Sequence, residues 1–142
     1  MKAETMARMY LREAVVLLVI ARFAVLLLPP RLLLAWAARP PKRIRRFSGP
    51  ETDWVSWAVE TARTKQWIRV VCLPSALAAQ SMLRRRGIAS RLCLGVAREG
   101  DALITHAWVE IGANIIVGGA ERDRFTKLRE FGGVASSKKV PV

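Results

Sequence analysis

Residues 72–87, Cys-Leu-Pro-Ser-Ala-Leu-Ala-Ala-Gln-Ser-Met-Leu-Arg-Arg-Arg-Gly, constrain the fold more than any other stretch. Pro74 suits the first turn of a helix, where no backbone donor is needed. Ala76, Leu77, Ala78, Ala79, Met82 and Leu83 follow with little polar material among them. Arg84, Arg85 and Arg86 suit the negative end of the helix dipole, and Gly87 is a natural stop. A helix apolar on most sides must be enclosed by other elements, so this one belongs at the centre of the domain. Cys72, Ala76, Ala79 and Leu83 share one face of it.

After Gly87 the pattern changes to period two. Ala89–Arg98 reads as a strand, Glu99-Gly100-Asp101 as a hairpin turn and Ala102–Ile111 as the next strand. Ile104, His106, Trp108 and Glu110 point one way on that second strand, and Leu103, Thr105, Ala107 and Val109 the other. Ile115–Val117 forms a third strand, and Phe125–Phe131 a short terminal element or loop. The expected architecture is α+β: a central helix packed on an antiparallel sheet of three or more strands, with helices before it.

Two residues within this frame carry chemistry. Cys72 opens the central helix, where unpaired N–H groups and a partial positive charge suit a nucleophilic sulfur. His106, the single histidine, lies on a neighbouring strand with Trp108 two residues on. A thiol and an imidazole so placed are the two parts of a cysteine nucleophile–base pair. The other thiol, Cys93, sits in a strand interior and reads as a small buried hydrophobe. Two cysteines make no disulfide framework, and no metal ligand set or cofactor motif is present.

Taken in order, Cys-Leu-Pro-Ser-Ala-Leu (72–77), Leu-Arg-Arg-Arg-Gly-Ile (83–88), the Gly-Val strand (95–96) and His-Ala-Trp-Val-Glu (106–110) resemble the leader peptidases of lasso peptide biosynthesis. These stand-alone B proteins belong to the transglutaminase-like cysteine protease superfamily. The resemblance covers roughly residues 50–130 and implies a transglutaminase-like (papain-like) core. It also implies a cytoplasmic enzyme of ribosomal-peptide maturation, a hydrolase with Cys72 as nucleophile and His106 as general base. The implied partners are a precursor leader peptide, a separate leader-recognition protein and an ATP-dependent lasso cyclase; no cofactor is implied. Trp108 stands beside His106 as a candidate substrate contact.

One position departs from the family. Its third member is commonly an aspartate about a dozen residues after the histidine, and Gly118 stands there. Glu110 is a poor substitute, ~13 Å from His106 along the strand at ~3.3 Å per residue. If a hairpin sets Gly112 opposite Ile115, and the pairing runs through Gly118 and Gly119, Glu121 falls opposite His106. Glu121 is thus the candidate third member, with Asp123 near it. A backbone carbonyl orienting the imidazole is the alternative.

Residues 1–46 form an apolar and basic region, distinct from a peptidase domain at 47–131 and a small polar tail at 132–142 expected to be disordered. Ala14–Leu28 is almost wholly apolar, but Arg22 splits it as a signal-peptide core, and Pro29-Pro30 cuts it below a spanning length. The expectation is a helix over Thr5–Leu28 and a second over Arg31–Ala38, packed on the core or a partner. Association with a membrane surface is the next reading. The stretch 39–46 is a basic linker with two prolines. In residues 51–66 Trp54, Trp57, Ala58 and Ala62 fall at helical spacing, capped by Ser48 or Thr52, with both tryptophans read as core.

The chain of 142 residues carries 24 Lys+Arg against 11 Asp+Glu, a net charge of +13. It has no zinc-finger spacing, recognition helix or aromatic strand platform, so nucleic acid is not an expected partner. Two rivals to a peptidase stand beside it: acyl transfer to an amine, as in a transglutaminase, and a non-catalytic scaffold.

Overall fold

The computed structural model describes residues 2–43, 49–65 and 72–132. Helix α1 (Lys2–Leu27) ends where Pro29 and Pro30 follow, because the residue before a proline is pushed out of helical geometry. Pro30 then opens α2 (Pro30–Ala37), using its fixed backbone angle at a position that needs no N–H. Helix α3 spans Gly49–Lys65 and α4 spans Cys72–Arg85. Tyr10, Ala14, Leu18 and Ala21 make the buried stripe of α1, at the spacing of one helix face.

The expected central helix is found in α4: every residue from Pro74 to Gln80 is buried, as are Met82 and Leu83. Its end is a Schellman cap. The Ile88 N–H donates to the Leu83 carbonyl at 2.9 Å and the Gly87 N–H to Arg84 at 3.0 Å, with Gly87 at φ +75°. Ile88 and Leu83, both buried, make the apolar contact that accompanies this motif.

Among the described residues the sheet has four antiparallel strands in the order β3-β2-β1-β4. They are β1 (Arg91–Glu99), β2 (Ala102–Ile111), β3 (Asn114–Val117) and β4 (Thr126–Gly132). The terminal stretch read as a short element or loop is therefore an edge strand on β1. Its charges hide it in the sequence, because they are met partly from another strand: Lys127 donates to Glu110 on β2 at 2.9 Å as well as to Glu130 on its own strand at 2.7 Å.

The sheet has two unlike faces. Leu92, Leu94, Ala107 and Val109 join the cluster formed by α1, α3 and α4, whereas Trp108 and Cys93, equally buried, lie outside it. The outer face is closed by the Trp108 ring lying over Gly95 and by an ionic group of Arg91, Glu110, Lys127 and Glu130. Gly95 has to be glycine for this, since a Cβ there would meet the Trp108 ring at 2.8 Å.

The N-terminal helices share the core with the rest of the domain, and the same buried cluster runs from Tyr10 to Val117. The Arg86 guanidinium grips the Glu13 carboxylate with two hydrogen bonds, at 2.9 and 2.6 Å, and lies 4.2 Å over the Tyr10 ring. Arg84 covers Trp36 at 4.2 Å and donates to the Ala37 carbonyl, fixing α2 to α4. On α3, Ala58 and Ala62 are buried and Trp54 stacks on Tyr10, but Trp57 is 42 % exposed rather than core. Thr52 donates to the Gly49 carbonyl from inside α3 instead of capping it, and Ser48 lies outside the described residues. So do residues 133–142 of the expected tail.

Candidate active site

Cys72 is the first residue of α4 and is partly exposed, so its backbone N–H has no acceptor within the helix. His106 is in the middle of β2, and both residues line one cleft of about 470 Å³. Helix α3 supplies the facing wall with Ser56, Glu60 and Arg63, and Ile116, Gly118 and Gly119 complete it.

The imidazole is held on several sides. Phe125 lies 4.9 Å from it between ring centroids, and Trp108 stacks against it at 5.8 Å and 25°. Its Nε2 is 2.8 Å from the Gly118 carbonyl oxygen. A carbonyl only accepts, so Nε2 carries the proton and Nδ1 is the nitrogen left to take one up. The Gly118 N–H in turn donates to Glu60 Oε1 at 3.4 Å, and Glu60 pairs with Arg63 at 3.5 Å.

This geometry corrects the expected register. Ile111 pairs with Asn114 and Glu110 with Ile115, and a bulge then sets Val117 opposite Val109. Strand β3 stops at Val117, and the backbone turns at Gly118 (φ +84°) into a 3-10 turn over Gly119–Arg124. The pairing that would set Glu121 opposite His106 is therefore not made. Glu121 lies on the 3-10 turn, with its side chain outside the described residues, and Asp123 on the same turn is exposed.

Trp108 is also placed differently from a substrate contact. It has no exposed surface, and its Nε1 donates to Glu110 Oε1 at 2.8 Å. It serves as a fixed wall behind His106. Glu110, on the outer face, receives Lys127 and Arg91 as well as Trp108. Burial raises its pKa, but these hydrogen bonds and the Lys127 charge outweigh that and bring it down to about 2.

The two thiols differ as their positions imply. Cys93 is fully buried, and burial, with the Glu110 charge adding to it, pushes its thiol up to about 12. Cys72 opens onto the cleft. The contribution of α3 is absent from the motif reading. Its signal is the polar spacing Ser56, Glu60 and Arg63, on the face next to the buried Val55, Val59 and Ala62.

The arrangement offers a thiol, an imidazole whose Nδ1 is left to take up a proton and a helix N-terminal N–H around one opening, the parts needed for acyl transfer through sulfur. No curated protein and no solved structure matches the chain. A family model described as transglutaminase-like superfamily matches residues 14–130, which takes in most of α1 as well as all of α2, α3, α4 and the sheet but its last residues. With the α+β architecture and more than half its length within that match, the chain belongs to the transglutaminase-like superfamily.

Proposed function

We propose that this protein is a cysteine peptidase that removes the leader from a lasso precursor peptide. The observation that carries the reading is the meeting of Cys72 and His106 in one cleft, with His106 Nε2 committed to the Gly118 carbonyl. The order of motifs around both residues supports the narrower assignment to leader removal.

In this mechanism Nδ1 of His106 takes the Cys72 proton, and the sulfur attacks the carbonyl carbon of the leader–core bond. The Cys72 backbone N–H donates to the developing oxyanion. The C–N bond breaks as His106 protonates the departing core amine, leaving the leader as a thioester on Cys72. Water then gives its proton to His106 and attacks the thioester, releasing the leader carboxylate and restoring the thiol. A separate leader-recognition protein delivers the precursor, and the freed core amine passes to an ATP-dependent cyclase.

The test combines the protein with a lasso precursor and its leader-recognition protein and weighs the products by mass spectrometry. Hydrolysis is expected, reduced at least about a hundredfold by His106→Ala and abolished by Cys72→Ala. Incorporation of an added amine in place of water would move the assignment to acyl transfer. Full output from Cys72→Ala would make the chain a scaffold. Mapped alkylation of the purified protein gives a substrate-free check: Cys72 labels, and Cys93 stays silent until the protein is unfolded.

A further inference from the structure

Helix α1 exposes more large apolar side chains than it buries. Val16, Ile20, Phe23, Leu26 and Leu27 all face outward, Phe23 59 % and Leu27 77 % exposed. The surface continues through Leu28 and, past the proline break, to Leu32. None of these residues lines the Cys72–His106 cleft. Single exposed hydrophobes are ordinary, but a contiguous apolar strip of this length marks an interaction surface.

Its borders indicate what covers it. Arg8 and Arg12 stand before the strip, and Arg31, Arg39, Lys42 and Arg43 follow it, all exposed. The acidic residues of the same stretch are Glu4 and Glu13, and Glu13 is held by Arg86. An apolar strip lying between two groups of cations matches a bilayer interface, with acyl chains beneath the strip and anionic headgroups at its margins. No helix of the described residues is long and apolar enough to cross a membrane, so the matching geometry is a helix lying in the surface plane. A partner's groove would take a few anchors at helical spacing, whereas this strip is broad and spans two helices.

We infer that the outer face of α1 and the start of α2 dock this protein on an anionic phospholipid surface, leaving the cleft open. The inference is independent of the reaction at Cys72.

Co-sedimentation of the full chain with lipid vesicles tests it. Binding is expected to phosphatidylcholine vesicles containing phosphatidylglycerol, to be much weaker on phosphatidylcholine alone, and to fall with added salt. Removing two cations in Arg12→Gln/Arg31→Gln should lower the affinity about fivefold for each. The double variant Phe23→Gln/Leu27→Gln should lose binding at least about tenfold while keeping the wild-type melting temperature, since both side chains are exposed. The inference is overturned if the two vesicle types bind alike, if neither binds, or if the apolar variant binds as well as wild type. A dimer in sedimentation velocity that the apolar variant dissociates, with no vesicle binding, would assign the face to a second copy instead.

Discussion

His106 Nε2 donates its proton to the backbone carbonyl of Gly118 at 2.8 Å, at the position where the family commonly supplies an aspartate. The reason no side chain stands there is steric. A Cβ on Gly118 would meet the Trp108 Cβ at 2.9 Å and the Ala107 carbonyl at 3.0 Å, and the φ of +84° disfavours any residue but glycine. The chain passes so close to β2 that its carbonyl reaches the imidazole directly. A neutral dipole fixes the tautomer and ring orientation as a carboxylate would, though it offers less to an imidazolium.

Restoring the familiar aspartate should therefore damage the site. Gly118→Asp is expected to cost about 2–3 kcal/mol of stability through backbone strain and overlap with Trp108. The displaced carbonyl should lower turnover on the order of a hundredfold. Urea unfolding and a peptide-cleavage assay measure the two effects. An aspartate variant more active than wild type would falsify the role given to the carbonyl.

Glu110 makes the fold sensitive to acid. Its pKa of about 2 lies below the unfolded value, so the stability it contributes is complete above about pH 5 and is lost as the pH falls toward 2. Because Arg91 and Lys127 are partly in water, that contribution is about 2 kcal/mol rather than the full linkage value. Glu110→Gln keeps an acceptor for Trp108 and removes only the charge. The gap in unfolding free energy between it and wild type should be widest at neutral pH and close in acid. A gap independent of pH would mean that packing, not charge, sets the contribution.

The joint between α1 and α4 rests on Arg86 and Glu13, each 17 % exposed at the side chain. Arg86→Ala strips the closest cation from a largely buried carboxylate and uncovers Tyr10, for an expected loss of about 2–3 kcal/mol. Arg86→Lys should recover little of it, because an ammonium cannot make the two-pronged contact or lie flat on the ring. Arg85→Ala, whose side chain is 64 % exposed, should stay within about 0.5 kcal/mol. Thermal or urea unfolding of the three variants decides whether α1 is held by this pair.

The sequence by itself determined the helices and the first hairpin and put Cys72 and His106 on the elements where they are found. Pro29-Pro30 broke the apolar run into two helices, Gly87 closed the central helix and Gly100-Asp101 turned the first hairpin, because each acts on backbone angles within a few residues. Strand β2 could be read residue for residue from its alternation. What followed Ile111 could not. A bulge beside Glu110 shifted the register, and the close passage of Gly118 over Trp108 chose the partner of His106. Strand β4 was equally hidden, since its charges belong in a sheet only when Glu110 and Arg91 are there to meet them. Only the tertiary structure separates the buried stripe of α1 from its exposed one, because residues 14–28 are apolar almost all round and periodicity has nothing to distinguish. Local sequence fixes torsions and caps. Pairing partners, close approaches and which apolar face is covered depend on distant parts of the chain, and so are decided only when the chain packs.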